Sequence, residues 1–468
     1  MRSGFRGVCG GGGLLSTNAS ILRGVAWTAG TYSFSIIIRF GSNVVLARLL
    51  SPELFGALLI INTIRQGIEL SSDIGLPQNV VQNKAGNTPA FYNTVWTIQI
   101  IRGVAVGAIL FLCAGPIAQF YLIPRTSMDI SAAILAVSGL ASTSIFLLHR
   151  NMQLAKLNLF ELAQDAVGAT ILIVVALFHP TIEALLIGVL LTQTIRVISS
   201  HFLRPEKNRL VFDVQYALEV VTFGRWIFLA SILSFLCANF DRLYIGRVAP
   251  LAVVGIYGIA RTLADVPGML AARIGYSVVF PVVSSAQMVP RDELRTRLSA
   301  IRFRLLLLAA VGISFGISIA DGAVRLIYDA RYHDAAWMLP LMLLGVWISM
   351  LCVVNEYAML GFGKPSYNVV GNGLKLAVYF IVIPLSFRSF GMLGAIVAIS
   401  SADVVRYLAI ACGSHRQRFS FFGQDLIASL VFIGLVILMC WSRSLLGFGT
   451  PFDGVPAAAP FVVGGELP

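Results

Sequence analysis

Residues 335–360 read AAWMLPLMLLGVWISMLCVVNEYAML, a stretch in which Glu356 is the only charged side chain. One helical crossing of the roughly 30 Å hydrocarbon core needs about 20 predominantly apolar residues, and this stretch supplies more. Of the 468 residues in the chain, 57% are hydrophobic and only 12% are charged, against about 25% charged in a soluble domain. The sequence therefore predicts that lipid is the main solvent of this chain.

Apolar segments of similar length follow one another almost from end to end of the chain. They are continuous and do not alternate at every second residue, which excludes a membrane β-barrel. The predicted fold is all-α, a polytopic membrane protein with about 13 transmembrane helices, within a range of roughly 12 to 14. The predicted spans are 21–47, 54–80, 92–121, 129–148, 160–178, 181–199, 217–245, 251–282, 299–320, 335–360, 367–387, 391–411 and 425–446.

The formal net charge of +12 resides largely in short connections. A nucleic-acid-binding protein gathers its basic residues on one soluble face, so we expect no nucleic-acid partner. Basic residues concentrate on alternate connections, which the positive-inside rule places in the cytoplasm together with the N-terminus. The predicted cytoplasmic cations are Arg2, Arg6, Arg23, Lys84, Arg150, Lys156, Arg204, Lys207, Arg209, Arg291, Arg295, Arg297, Arg302, Arg304, Lys364, Arg416 and Arg418.

Two parts of the chain share a pattern at an offset of about 200 residues. The pairs Gly24 and Trp27, Arg48 and Gly56, and the single Gly75 correspond in order to Gly224 and Trp226, Arg247 and Gly255, and Gly275. Because six predicted helices separate the two starts, the pattern predicts two six-helix lobes related as a parallel repeat. Chance coincidence in apolar sequence is the alternative. The expected organisation is a flexible cytoplasmic leader 1–20, an N-lobe 21–203 with helices 1–6, a C-lobe 217–411 with helices 7–12, an extra helix 13 at 425–446 and a tail 447–468.

The sequence lacks the patterns that are typical of enzymes. It contains no H-E-x-x-H and no nucleophile elbow, and Gly363-Lys364 lacks the upstream glycine of a Walker A motif and precedes Pro365. The connection from Asp321 to Asp334 is too short for an outer catalytic loop. We therefore expect a protein that is not an enzyme, with no catalytic residue, no metal and no soluble cofactor.

Charged residues inside the apolar spans are the candidate functional residues. Each would cost about 2.5–3.5 kcal/mol at the bilayer centre, so the set requires ion pairing or a wet cavity. Spacing of i,i+4 places Arg65 with Glu69, and Arg261 with Asp265, on one helical face each. Such residues either present cations to an anionic head group or form structural ion pairs inside each lobe. The expected substrate-binding cavity comprises Arg39, Arg65, Arg261, Glu69, Asp265, Arg102 and Lys375, with Pro267 and Gly268 as a candidate hinge.

The run LARLLSPELFG at Leu46 to Gly56, followed by DIGL from Asp73 and VVQ from Val80, resembles the opening of the polysaccharide transporter family. These are bacterial oligosaccharide flippases within the multidrug/oligosaccharidyl-lipid/polysaccharide exporter superfamily. DRLYIG from Asp241 and GIY from Gly255 are similar too.

The resemblance implies a two-lobed helical bundle in the bacterial inner membrane. It would move polyprenyl-pyrophosphate-linked oligosaccharide from the cytoplasmic to the outer leaflet by alternating access, for exopolysaccharide or lipopolysaccharide assembly. Membrane lipids and polysaccharide assembly proteins would be its partners. Related flippases line their cavity with arginines on helices 1, 2 and 8, which here carry Arg39, Arg65 and Arg261.

Two other functions remain open from the sequence. The first is a cation-coupled multidrug exporter of the same superfamily, in which Asp73 or Asp265 would bind the cation. The second is a membrane polysaccharide polymerase or ligase, which the absence of a long outer loop disfavours.

Overall fold

The computed structural model describes residues 30–31, 34–204, 207–286 and 289–456, and throughout these ranges the regular structure is helical, without strands. Gly24, Trp27, the leader, the end of the tail and the side chain of Trp226 lie outside the described part. The helices are α1 (34–49), α2 (Pro52–Leu70), α3 (Leu76–Gln82), α4 (Pro89–Tyr121), α5 (Arg125–Ser138), α6 (Ser144–Arg150), α7 (Leu154–Phe178), α8 (Ile182–Ser200), α9 (Val214–Val248), α10 (Leu251–Ile274), α11 (Phe280–Ser285), α12 (Arg291–Ile327), α13 (Ala335–Gly361), α14 (Ser366–Arg416) and α15 (Phe422–Leu445).

Within the described ranges, nine segments are long and apolar enough to cross a membrane. They are Pro89–Tyr121, Leu154–Phe178, Ile182–Ser200, Ile227–Val248, Leu251–Ser285, Arg291–Ile327, Ala335–Gly361, Ser366–Arg416 and Phe422–Leu445. The prediction of an all-α, multi-pass membrane protein is confirmed. The count of thirteen spans and the parallel repeat stay predictions.

The predicted span 54–80 is interrupted between α2 and α3. Gly75 has a φ of 66°, in the left-handed region that glycine adopts without strain. Its N–H donates to Oδ1 of Asp73 at 2.9 Å. Asp73 therefore belongs to the turn that ends one helix and begins the next, and not to the interior of a helix.

The predicted spans 367–387 and 391–411 are the two arms of α14. Gly391 separates them with φ 61° and ψ −145°, a conformation that is essentially restricted to glycine. Contacts between Gly371 and Ile410, and between Tyr367 and Gly413, join positions about equally far before and after Gly391. The arms are therefore antiparallel and turn back on each other almost without a loop.

The chain divides into two compact units. The first consists of Met1–Leu49 and Ser72–Phe228, and the second of Leu50–Ser71 and Leu229–Pro468. Helix α2 therefore belongs to the second unit, where it packs along α10. The predicted lobes 21–203 and 217–411 stay predictions.

An apolar cluster in the first unit packs α3 and α4 against the beginning of α9. Leu76 and Val80 of α3 meet Val95 of α4 and Val220 of α9 there. Oδ1 of Asp213 accepts hydrogen bonds from the first backbone N–H groups of α9, as N-cap residues do. The start of α9 is thus fixed both by packing and by its cap.

A second apolar cluster lies at one end of the second unit. It joins Val283 of α11, Leu298 of α12, Met359 of α13 and Phe419, which precedes α15. Such contiguous packing of four segments by buried apolar side chains holds these helix ends together.

Candidate functional site

Two acids and two arginines of α9 and α10 form one ion-pair network in the second unit, here called the α9–α10 cluster. Nε of Arg261 lies 3.3 Å from Oδ2 of Asp241 and 3.5 Å from Oδ1 of Asp265. Arg242 lies 3.2 Å from Asp265, and the hydroxyl of Tyr257 donates to Asp241. Two positive and two negative charges cancel, so Arg261 is a compensated cation.

The α9–α10 cluster is sealed at one end and accessible at the other. The Asp241 side chain is 0% exposed, whereas the Asp265 side chain is 33% exposed. Helix α9 continues beyond Asp241 as far as Val248, and Arg261 of α10 covers the carboxylate. An anion could approach the cluster beside Asp265 while the carboxylate of Asp241 stays buried.

A second network, the α13–α14 cluster, brings Lys375 together with three other charges. Nζ of Lys375 lies 2.9 Å from Oδ1 of Asp403. Arg406 lies 3.4 Å from the same carboxylate and also pairs with Glu356. The ring of Tyr379 lies 5.3 Å from Nζ of Lys375. This cluster is also formally neutral, and Lys375 is buried within it.

Arg65 of α2 differs from these compensated cations. Its Nη2 donates to Oδ1 of Asn62 at 3.2 Å, and Glu69 acts on it electrostatically. Its Nε is buried and has no hydrogen-bond partner among the described residues. An unsatisfied buried donor is costly. The Nε of Arg261 also lacks a hydrogen bond, but it lies within 3.5 Å of two carboxylates, so Arg65 is the arginine of the expected cavity that is best prepared to bind an added anion.

The remaining predicted cations lie in the first unit. Nη2 of Arg39 is 3.0 Å from Oδ1 of Asp165, and the Arg39 side chain is 66% exposed. Arg102 is 3.6 Å from Asp73. Asp165 and Asp73 therefore each neutralise one cation of the expected cavity.

The backbone irregularity of the α10 segment lies beyond the candidate hinge. Helix α10 passes through Pro267 and Gly268 and continues to Ile274. A π-helical turn follows at Gly275–Val279. A Cβ at Gly275 would collide with the ring of Tyr357, so glycine permits α13 to approach closely at this turn.

Arg302 is a buried ion-pair residue, which corrects its assignment to a basic cytoplasmic connection. It lies in α12, is 2% exposed and pairs with Asp425 of α15. Its guanidinium also lies 4.7 Å from the centre of the Phe421 ring. The cause is tertiary packing: α12 packs along α15, which brings Asp425 to the Arg302 guanidinium and covers it.

Sequence reasoning did not find the partners that complete these networks. Tyr257 and Arg406 were not predicted as site residues, although Arg406 follows Asp403 at the i,i+3 spacing of one helical face. Glu356 was noted only as the single charge of its apolar stretch. The helical spacing was a usable signal for Arg406, whereas Glu356 reaches Arg406, and Asp403 reaches Lys375, only through tertiary packing.

Comparison with known proteins identifies relatives in polysaccharide export. Residues 45–337 match the family described as polysaccharide biosynthesis protein. The succinoglycan biosynthesis transport protein ExoT of Rhizobium meliloti (strain 1021) is 23% identical, over 74% of this chain and 70% of that protein. The lipopolysaccharide biosynthesis protein WzxC of Escherichia coli (strain K12) is 24% identical, over 80% of this chain and 74% of that protein.

The fold is similar to that of a solved flippase. The lipid II flippase MurJ, in its inward closed conformation, superposes with a TM-score of 0.68 at 12% identity, over 90% of this chain and 99% of that chain. The likeness places the present helices in a known transporter fold. Because the family match spans more than half of the sequence, this chain belongs to the polysaccharide biosynthesis protein family.

Proposed function

We propose that this protein is a flippase that carries polyprenyl-pyrophosphate-linked oligosaccharide from the cytoplasmic to the outer leaflet of the bacterial inner membrane. The observation that carries the proposal is Arg65 of α2, whose buried Nε has no hydrogen-bond partner among the described residues and which makes no ion pair there within 4 Å. Its position falls within the part of the chain that matches the polysaccharide biosynthesis family. The names of ExoT and WzxC, which concern polysaccharide transport and lipopolysaccharide synthesis, support the same function.

The proposed substrate contact uses the arginines unequally. Arg65 binds the pyrophosphate first, because its Nε needs no competing bond to be broken. Arg39 is exposed and can share its charge between Asp165 and a phosphate oxygen. Arg261 must first exchange Asp265 for the phosphate, whereas Asp241 holds it in place. The remaining charged residues of the expected cavity adjust the electrostatic potential that the pyrophosphate meets. They are Glu69, Arg102 and Lys375.

The proposed orientation places the N-terminus and the basic connections in the cytoplasm. A pyrophosphate carries about two negative charges, and moving each outwards gains roughly 2.3 kcal/mol per 100 mV of a potential that is negative inside. The membrane potential therefore assists export. Alternating access completes the cycle, with polysaccharide assembly proteins receiving the glycan at the outer leaflet.

Two acids of the region predicted as an outer connection, Asp321 in the last part of α12 and Asp329 after it, support a protein without catalytic chemistry. Asp321 pairs with Arg443 at 2.6 Å. Asp329 accepts a hydrogen bond from the backbone N–H of Arg331 and pairs with its guanidinium, which together lower the pKa of Asp329. Both carboxylates thus have structural partners, unlike the catalytic acid that a polymerase or ligase requires.

A cation-coupled drug exporter fits the geometry less well. Such a protein needs a carboxylate that is available to a proton or a sodium ion. Asp73 lies within 3.6 Å of Arg102 and accepts from Gly75, and Asp265 pairs with Arg242 and Arg261. Both acids considered for this role therefore already have cationic partners.

A deletion strain tests the proposed function. Without the protein, lipid-linked oligosaccharide is expected to accumulate on the cytoplasmic leaflet while surface polysaccharide disappears. The wild-type gene and Arg65→Lys should restore export, whereas Arg65→Gln should reduce it at equal membrane abundance. Normal surface polysaccharide together with altered drug tolerance in the deletion strain would instead identify a drug exporter.

A further inference from the structure

A cavity of about 840 Å³ lies between α3 and the beginning of α9, and most of the residues that line it carry a polar group. All of its lining residues belong to the first unit, and none of them is among the charged residues proposed above to handle the pyrophosphate. The volume falls within the range of roughly 300–1,000 Å³ that small-molecule sites occupy. The α3–α9 cavity is lined by Asn79, Gln82, Asn83, Gln215, Leu218, Glu219, Thr222 and Arg225.

The cavity lining consists of one face from each helix. On α9, the lining positions recur every three or four residues from Gln215 to Arg225, and on α3 the three lining amides have the same spacing. The opposite faces carry Val220 and Val80, which are buried in the shared apolar cluster. Burial of the apolar faces therefore holds both polar faces toward the same cavity.

Arg150 fixes the α3 wall of the cavity. Its Nη1 donates to the backbone carbonyls of Val80, Val81 and Asn83 at 2.7, 2.8 and 2.6 Å. The carbonyls of Val80 and Val81 belong to the last turn of α3, where helix carbonyls lack an intrahelical donor, and Asn83 is the C-cap residue. The wall that carries Asn83 is thus held in place before any ligand arrives.

Several polar groups of the lining are available to a ligand. Asn83 donates to Glu219 at 3.0 Å, but within the described ranges the side chains of Gln82, Gln215 and Thr222 have no hydrogen-bond partner. Amides and hydroxyls both donate and accept, as sugar hydroxyls do.

The charge of the lining argues against a second phosphate site. One arginine, Arg225, and one carboxylate, Glu219, line the cavity, so their formal charges cancel. Leu218 adds an apolar surface against which the C–H face of a sugar ring can pack. The chemistry matches a neutral, hydroxyl-rich ligand.

We propose that the α3–α9 cavity binds the oligosaccharide part of the lipid-linked substrate through Gln82, Gln215 and Thr222. This inference rests on the proposed flippase function and separates recognition of the glycan from contact with the pyrophosphate. In the proposed orientation the cavity lies near the cytoplasmic end of α3, which is followed by Lys84 in a basic connection. The protein would therefore recognise the glycan when the lipid-linked substrate enters from the cytoplasmic leaflet.

Binding to the purified full chain in lipid nanodiscs tests this assignment. The two probes are the oligosaccharide released by mild hydrolysis from the host's lipid-linked pool, and sugar-free polyprenyl diphosphate. Each lost hydrogen bond should weaken oligosaccharide binding roughly 5-fold, so Gln82→Ala/Gln215→Ala should lose about 25-fold in equilibrium dialysis. Binding of polyprenyl diphosphate should not change.

Two further variants make the result specific. Thr222→Val keeps the volume of the side chain, removes only the hydroxyl and should weaken oligosaccharide binding roughly 5-fold. Asn87→Ala is the matched control, because Asn87 is an exposed amide beyond α3 that is not part of the lining. Its binding of both probes should equal that of the wild type.

Each contrary result points to a different failure. Equal oligosaccharide binding by wild type and variants, no binding by wild type, or equal loss of both probes would overturn the glycan site while leaving the flippase function intact. Failure of the flippase function appears separately, as an absence of cytoplasmic lipid-linked oligosaccharide in the deletion strain.

Discussion

Gly56 of α2 and Gly255 of α10 face each other in a reciprocal backbone contact. A Cβ on Gly56 would lie 2.8 Å from the backbone nitrogen of Gly255, and a Cβ on Gly255 would lie 3.0 Å from that of Gly56. Each Cβ would also collide with the carbonyl four residues before the other glycine, at Leu251 and at Pro52. The contact is therefore reciprocal: each glycine meets the other helix at the facing glycine and at the residue four positions before it.

Gly255→Ala should destabilise the protein through this contact. The added methyl group has no space, and overpacking typically costs about 1–3 kcal/mol. We expect a lower midpoint in thermal unfolding of the detergent-purified protein, followed by size-exclusion chromatography.

Gly312→Ala is the control for this substitution. Gly312 lies in α12, and a Cβ there would meet no atom within 4 Å, so alanine should raise helix stability by about 0.5–1 kcal/mol. If both variants unfolded at the same temperature, the close approach at Gly255 would not be a determinant of stability.

Arg302→Met should destabilise the second unit strongly. The substitution leaves Asp425 buried without its cation, and removing one partner of a buried pair costs about 3–5 kcal/mol. Tyr407, which donates to Asp425 at 2.8 Å, cannot replace a guanidinium. Thermal unfolding should show the loss.

The double variant Arg302→Met/Asp425→Leu should recover much of that stability, because no unpaired charge remains. Arg297→Ala provides the surface comparison: its pair with Glu293 is exposed, and such pairs contribute about 0–1 kcal/mol. A double variant less stable than either single variant would argue against charge burial as the cause.

Asp265→Asn should strengthen binding of sugar-free polyprenyl diphosphate. The substitution leaves the α9–α10 cluster with one uncompensated positive charge and releases Arg242 and Arg261 from the accessible carboxylate. Equilibrium dialysis of the purified protein should show tighter binding, whereas export in cells should slow because release becomes harder. Asp129→Asn, which disrupts only the exposed pair with Arg125, should change neither quantity.

Arg150→Met should loosen the C-terminal end of α3. Three carbonyls lose their bond to the guanidinium, so the amides of Asn83 and Gly86, which bond to the carbonyls of Asn79 and Asn83, should exchange with deuterium faster. Peptide-level hydrogen exchange of the full chain measures this effect. Arg125→Met, in an exposed pair, should leave this exchange unchanged, and equal rates in Arg150→Met would contradict the capping role.

Hydropathy predicts the membrane helices of this fold well, because each helix that crosses the membrane is a continuous run of apolar residues in the sequence. The positions that it misplaces depend on backbone geometry or packing. The break at Gly75 needs a positive φ, and no apolar count distinguishes this glycine from the others. Arg302 is buried because α12 packs along α15 and pairs it with Asp425, although a short basic segment ordinarily predicts a cytoplasmic connection.

In the candidate site, too, contacts within one helix could be predicted from the sequence, whereas contacts between helices could not. The i,i+4 pair of Arg261 and Asp265 could be predicted because one helical face is encoded by spacing alone. The contacts of Arg261 with Asp241, and of Lys375 with Asp403, join different helical segments. Which acid meets which base across helices depends on packing, and a single sequence without packing information does not specify it.

The turn at Gly391 determines how α14 can move. Because the two arms meet almost without a loop and Lys375 of one binds Asp403 of the other, sliding one arm past the other would break a buried ion pair and strain the glycine turn. The two arms must therefore move as one rigid body. Any bending during a transport cycle must occur outside this hairpin.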